Sequence, residues 1–158
     1  IRTMPNTPAA IGKGMTAIFS DSPLEQNIRS ETEALFSAIG KYCWIEDEDH
    51  KHLITAVSGS GPAYFFLLME KMIEAGVSEG LSPEVARELV VETALGAARM
   101  ASMGIDSPRI LKKNVTSPGG TTEAALNIFY KKVMPVQGWQ KYSKVSLKFN
   151  NQIVCTKK

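Results

Sequence analysis

Cysteine chemistry is nearly missing from this sequence. Its two cysteines, Cys43 and Cys155, are too few for a disulfide framework and form no C-x-x-C pair. A reduced, cytoplasmic setting is the expectation. Long hydrophobic runs are missing too. The longest uninterrupted apolar stretch is residues 63–69, far short of the roughly 18–20 residues that cross a bilayer, so no membrane partner is expected. Neither sign of charge dominates. The 18 basic and 16 acidic residues are interspersed and leave a net charge of +2. With no basic stripe and no aromatic–basic alternation, no nucleic-acid partner is expected. The two histidines, His50 and His52, flank Lys51 in a highly charged segment. A spacing of two puts them on different sides of a helix, which reads as a solvated face and not as a metal site. No Ser–His–Asp set and no pair of carboxylates stands out. No secretory signal opens the chain, and its first residue is Ile1 and not Met, which permits a reading in which the protein begins upstream.

What is present is regular punctuation. With 158 residues and 44% hydrophobic composition, the chain can build one core, or one core and part of another. Residues 1–4 and 15–19 read as strands separated by the Gly- and Pro-rich "PNTPAAIGKG". A helix follows in "DSPLEQNIRSETEALFSAIG", with Ser22 as N-cap, Pro23 at the first helical position and Gly40 as the stop. Leu24, Ile28, Leu35, Phe36 and Ile39 share its apolar face. Residues 42–46 read as a third strand, in which Cys43 alternates with apolar neighbours as a buried side chain.

From Asp47 on the pattern turns helical. "DEDHKHLITAVSG" opens on acidic residues, which suit a helix N-terminus. "SGSGPAYFFLLMEKMIEAG" reads as a tight turn, with Ser60 or Gly61 as cap, Pro62 as start and Gly76 as stop. The first two turns of that helix are apolar all round, which predicts burial in a core or a subunit interface. Two more Ser-Pro starts follow, at Ser82–Pro83 and Ser107–Pro108, and the last helix begins with Thr121 or Thr122 as cap. Ala94, Gly96, Ala97, Ala98 and Ala101 give one helix a small-sided half that lets another helix come close. Met69, Met72, Met100 and Met103 are expected to fill the core. After Met134 no helical period persists. "KVSLKFNNQIVC" suits a hairpin around Asn150 and Asn151.

Two Gly-rich stretches are candidates for chemistry. In "LKKNVTSPGGTTEAAL", every residue from position 116 to 122 is a hydroxyl carrier, a Gly or a Pro. Such a loop ahead of a helix exposes N–H groups that, with the helix dipole, favour a carboxylate or phosphate. Ser117, Thr121 and Thr122 add hydroxyl donors, and Gly119 and Gly120 admit close backbone approach. The alternative is a plain helix–helix turn with a threonine cap. "SGSGPAY" matches neither G-x-G-x-x-G nor the phosphate loop, and its plain reading is a turn.

Three motifs, "RTMPNTPAAIGKGMTAI", "SGSGPAYFF" and "LKKNVTSPGGTTEAAL", stand in this order and spacing. Together they resemble pyrroline-5-carboxylate reductase over about residues 1–130, and "NVTSPGGTT" resembles that family's signature. The fold class this implies is mainly α: a helical dimerisation domain, similar to the C-terminal bundle of 6-phosphogluconate dehydrogenase, preceded by the last strands and helix of a Rossmann α/β domain. The domains implied are a Rossmann remnant over 1–46, a helical dimerisation and substrate-binding domain over 47–133, and an irregular tail over 134–158 that does not match the family.

The activity implied is NAD(P)H-dependent reduction of Δ1-pyrroline-5-carboxylate to L-proline, with NADPH or NADH as cofactor. A cytoplasmic homodimer, in some cases a larger ring of dimers, is the assembly implied. By match to the family, Ser117, Pro118, Gly119, Gly120 and Thr121 hold the substrate carboxylate, in agreement with the anion site read from the loop. Thr122 is the candidate donor to the imine nitrogen, Asn114 lies beside the nicotinamide amide, and Asn6 lies on the cofactor side. Two departures bear on this. The G-x-G-x-x-G turn is absent, so the chain alone is expected to bind NAD(P)H poorly and to be inactive. The match also fades after Tyr130. The alternatives are a helical association module without chemistry, and another imine or 3-hydroxyacid reductase. The latter calls for a positioned Lys or other base that "NVTSPGGTT" does not supply.

Overall fold

The computed structural model describes residues 1–133. They form two compact units that part between Phe65 and Phe66. The expected hairpin around Asn150 and Asn151, and the rest of the tail, lie outside the described residues.

The first unit is built on a three-stranded sheet in the order β1-β2-β3. Strand β1 (Arg2–Met4) runs antiparallel to β2 (Gly14–Phe19), with Thr3 opposite Ile18. Strand β3 (Gly40–Trp44) runs parallel to β2, with Ala17 opposite Cys43. A 3-10 turn (Thr7–Ile11) joins β1 to β2, and helix α1 (Gln26–Ser37) supplies the crossover that parallel pairing requires. The middle strand carries the core: Thr16 and Ile18 are fully buried and Ala17 nearly so. Cys43 is half-buried.

Two expectations about α1 are corrected. Its N-cap is Glu25, not Ser22, and the helix begins at Gln26. The Ser22 carbonyl accepts from the Ser20 hydroxyl at 2.8 Å, and Asp21 pairs with Arg2, so the chain before the helix is tied down locally. Gly40 does not stop the helix, which ends at Ser37; it opens β3 at φ 148°. A Cβ there would lie 2.1 Å from the Gly14 carbonyl oxygen, so the parallel pair closes only around a glycine. The predicted apolar face of α1 is partly realised: Leu24, Phe36 and Ile39 are half-buried while Ile28 and Leu35 are exposed.

Helix and sheet are braced by a cluster around Glu33. Its carboxylate accepts from Trp44 Nε1 at 2.8 Å and from Arg29 Nε at 3.0 Å, and the Arg29 guanidinium lies 4.5 Å over the Trp44 ring. The Trp44 hydrogen bond, opposed by partial desolvation and helped by Tyr42 and Arg29, holds the Glu33 carboxyl below the usual carboxylate range.

From Glu48 to Ser78 the chain is helical throughout. It opens as a 3-10 turn (Glu48–His50) capped by Asp47, whose Oδ1 accepts from the Asp49 N–H at 2.8 Å. It continues as α2 (Lys51–Ile54), widens into a π turn (Thr55–Gly59) and resumes as α3 (Gly61–Ser78). The expected tight turn at "SGSG" is therefore a wide turn inside a helix. The Ser60 N–H reaches back five residues to the Thr55 carbonyl at 2.7 Å. Pro62, which has no N–H and would crowd the preceding turn of a regular helix, follows this widening.

In the second unit α3 runs past Gly76, where a stop was expected. The chain turns at Gly80, and the Leu81 N–H closes on the Gly76 carbonyl at 3.0 Å. Helix α4 (Pro83–Ser102) starts where expected, Ser82 accepting from the Val85 N–H at 3.3 Å. Its buried side chains are Ala86 and Val90. Short helices α5 (Pro108–Asn114) and α6 (Thr121–Ile128) follow, the second running into a π turn (Phe129–Val133).

The expected burial of α3 is not met within one chain. Phe66 is 60% exposed and Leu67 54%, and Leu68 and Met72 are also exposed. Met100 and Met103 face out as well, so of the four methionines expected in the core only Met69 is half-buried. The fold is mainly α, as expected, with a small three-stranded sheet.

Candidate functional site

The loop between α5 and α6 is held by its own short-range bonds. Ser107 caps α5 by accepting from the Ile110 N–H at 3.4 Å, and Asn114 ends that helix in an exposed position. The Thr116 hydroxyl donates to the Lys112 carbonyl at 2.6 Å, and its N–H to the Lys113 carbonyl at 3.0 Å. Ser117 to Gly120 then make a β-turn closed by the Gly120 N–H on the Ser117 carbonyl at 3.0 Å. Pro118 takes the second position, and Gly119, at φ 72°, takes the third, where a type II turn requires the left-handed region.

This turn delivers the chain to α6 with Gly120 as N-cap. Neither Thr121 nor Thr122 caps the helix; they are its first two residues, and no side-chain cap bond forms. A residue with extended backbone is needed at the cap, and Gly120, at φ −83° and ψ 170°, supplies it. The first intrahelical bond runs from the Ala124 N–H to the Gly120 carbonyl at 3.2 Å. The N–H groups of Thr121, Thr122 and Glu123 precede it and point out of the helix start together. Thr121 is exposed and Thr122 half-buried. Open backbone donors at a helix start favour an anion.

Three residues here were missed from the sequence. Glu123 turns back so that its Oε2 accepts the Gly119 N–H at 2.8 Å. Glu at the third helical position after a cap is the acidic half of a capping box, so the signal was present. The Lys112 ammonium donates to the Tyr130 hydroxyl and lies 4.9 Å from its ring centroid, linking α5 to the turn after α6. Nothing local in the sequence announces that pair.

Asn6 belongs to the first unit, while Asn114, Ser117, Pro118, Gly119, Gly120, Thr121 and Thr122 belong to the second. Those seven residues are brought together on one loop and its flanking helix ends. The Asn6 side chain is engaged at both ends: Oδ1 accepts from the Met15 N–H at 2.9 Å, and Nδ2 donates to the Ser58 carbonyl and hydroxyl, each at 3.3 Å.

The family model described as pyrroline-5-carboxylate reductase dimerisation matches residues 48–136. A second, described as FtsQ/DivIB, C-terminal related, matches residues 122–156. Among curated proteins the chain is 44% identical over 133 residues to a pyrroline-5-carboxylate reductase of Haemophilus influenzae, covering 82% of this chain and 48% of that protein. It is 46% identical over 129 residues to the Pseudomonas aeruginosa enzyme of that name, covering 82% and 47%. The chain thus spans about half the length of these relatives. Among solved structures, a pyrroline-5-carboxylate reductase from Coxiella burnetii superposes with a TM-score of 0.88 at 37% identity, covering 96% of this chain and 56% of that one. The Plasmodium falciparum pyrroline carboxylate reductase with NADP bound superposes with a TM-score of 0.82 at 31% identity, covering 92% and 59%.

Proposed function

This chain belongs to the pyrroline-5-carboxylate reductase family, and on that premise we propose that it is the C-terminal part of an NAD(P)H-dependent oxidoreductase of proline biosynthesis that reduces Δ1-pyrroline-5-carboxylate to L-proline. The observation that supports this reading is the start of α6, where the Thr121, Thr122 and Glu123 N–H groups precede the first intrahelical bond and no side chain caps them. The substrate is a small ring with one carboxylate and one imine. In this reading the turn from Ser117 through Thr121 takes the carboxylate at the open N–H groups where α6 begins, Thr121 first among them; the Gly119 and Gly120 N–H groups already bond Glu123 and the Ser117 carbonyl, and these glycines keep the approach clear of side chains. Reduction of the C=N carbon develops charge on nitrogen. The Thr122 hydroxyl, one residue into the helix, is the donor we assign to that nitrogen. Asn114, at the exposed end of α5, faces the nicotinamide side, and Asn6 serves the cofactor side from the first unit.

The residues present do not make a dinucleotide site. No G-x-G-x-x-G turn occurs in the sequence, and we assign the cofactor's main site to the half of the reductase that this chain does not span. Residues 1–46 are read as the end of that Rossmann domain, residues 47–133 as the dimerisation and substrate domain, and residues 134–158 as a tail outside the family pattern. Alone, the chain should neither bind NADPH or NADH well nor turn over. That lack favours one other reading, a helical association module without chemistry.

The partner proposed is a second copy of the chain, in some assemblies within a ring of dimers. Among the described residues one helix, Glu48–Ser78, is long and apolar enough to cross a membrane by length and composition. We assign its exposed apolar side chains to the second copy and expect a cytoplasmic protein with no membrane or nucleic-acid partner.

The test places the N-terminal half of the Pseudomonas aeruginosa relative ahead of Ile1. In that chimera, Thr122→Ala should lower kcat by about a hundredfold or more, the scale of a positioned proton donor, with the KM for cofactor little changed. Equal kcat in the two forms removes Thr122 from the chemistry.

A further inference from the structure

Pro62 leaves a gap in the long helix. A residue at that position would ordinarily donate its N–H to the carbonyl of Ser58, four residues back, and proline has none. The Ser58 carbonyl does have a donor: Asn6 Nδ2 at 3.3 Å, from a side chain 52 residues away. The same Nδ2 lies 3.3 Å from the Ser58 hydroxyl, and the other end of the amide, Oδ1, accepts the Met15 N–H at 2.9 Å. A single side chain therefore ties the second residue of β2 to the widened turn of the helix, within the first unit. Both of its polar atoms have partners within the first unit.

We propose that Asn6 is a positioning residue, which supplies to the Ser58 carbonyl the donor that Pro62 lacks and so fixes the segment after β1 against the long helix. For its effect on turnover this rests on the reductase reading, in which that segment serves the cofactor side. The lock itself does not depend on that reading. Asn6 acts through Met15 and Ser58 and does not touch the cofactor.

The test is a double-mutant cycle between Asn6→Asp and Pro62→Ala. Aspartate keeps an acceptor for the Met15 N–H but sets a second acceptor against the Ser58 carbonyl. Alanine at 62 restores the helical N–H. In the 158-residue chain, Asn6→Asp should speed amide hydrogen exchange at Ser60 and Ala63 about tenfold, in line with an unpaired half-buried carbonyl. Adding Pro62→Ala should return it to within about twofold. Ser58→Ala, which leaves the carbonyl in place, should change exchange less than twofold. If Asn6→Asp does not fold, the double variant decides: recovery of a folded chain supports the lock, and failure overturns it. Equal acceleration with and without Pro62→Ala also overturns it.

In the chimera with the relative's N-terminal half, Asn6→Asp should raise the KM for cofactor with little change in KM for pyrroline-5-carboxylate, and Pro62→Ala should reverse that rise. A rise that Pro62→Ala leaves in place makes Asn6 a direct contact and overturns the positioning role. A chimera without turnover sinks the reductase reading, and the exchange cycle still decides the lock.

Discussion

The two units spend their apolar residues in opposite ways. In the first, β2 is covered on both faces: Thr16, Ala17 and Ile18 are buried in a sheet only three strands wide, and α1 is braced to it through Trp44, Glu33 and Arg29. In the second, the buried hydrophobic side chains among the described residues are Ala86 and Val90, while Phe66, Leu67, Leu89, Leu95 and Met100 stand exposed. Apolar surface of this extent marks an interaction face, which the function proposed above assigns to a second copy. The first unit holds a core of its own; in that proposed function, the second carries the substrate loop on a scaffold that a second copy would complete. Affinity for substrate and association between copies should then be linked in the second unit and separable in the first.

That contrast can be broken in stages. The largest effect is expected from a charge on the exposed side of α3. Leu67→Asp should convert a dimer to a monomer in sedimentation. Losing two buried leucines, at roughly 1.5–3 kcal/mol each, weakens association by at least about a hundredfold. A dimer of undiminished strength would mean the face lies elsewhere. Next comes Gly40→Ala in the first unit. With the added Cβ 2.1 Å from the Gly14 carbonyl oxygen, it should cost about 3 kcal/mol or more of stability and leave association of folded chains intact. Ser82→Ala removes the cap of α4 and should cost about 1 kcal/mol in a denaturant titration. Thr121→Ala, which removes no cap bond, should cost less.

The smallest effect is a pH dependence confined to the first unit. Glu33 has its folded pKa lowered, chiefly by the Trp44 hydrogen bond. Its stabilising contribution is therefore complete above the ordinary carboxylate range and lost as pH falls through the lowered value. Glu33→Gln should be less stable than the parent at neutral pH, and the gap should close in acid. A gap that stays constant across that range removes the charge from the account.

How much was legible beforehand follows the same division between local and distant causes. The starts at Ser82–Pro83 and Ser107–Pro108 were readable because a cap bond spans three residues. The same Ser-Pro signal misled at Ser22–Pro23, where the preceding turn and the Arg2–Asp21 pair hold the chain extended until Glu25. Gly40 looks like a helix stop in sequence, and only the strand at Gly14 reveals why it is glycine. "SGSGP" reads as a break because the sequence does not show that a π turn and a distant asparagine absorb the proline. That a loop precedes α6 was readable from its hydroxyls, Gly and Pro, but not that Gly120 would cap the helix and both threonines would lie inside it. Lys112 and Tyr130 were not, because their meeting depends on how α5 and α6 fold back on each other.

The most direct measurement is NADPH oxidation by the chimera that carries the Pseudomonas aeruginosa relative's N-terminal half ahead of Ile1. Oxidation that depends on Δ1-pyrroline-5-carboxylate and yields L-proline is expected, with none from the 158-residue chain alone. A folded, dimeric chimera that binds NADPH yet leaves pyrroline-5-carboxylate unreduced would contradict the reductase reading and leave the helical unit as an association module.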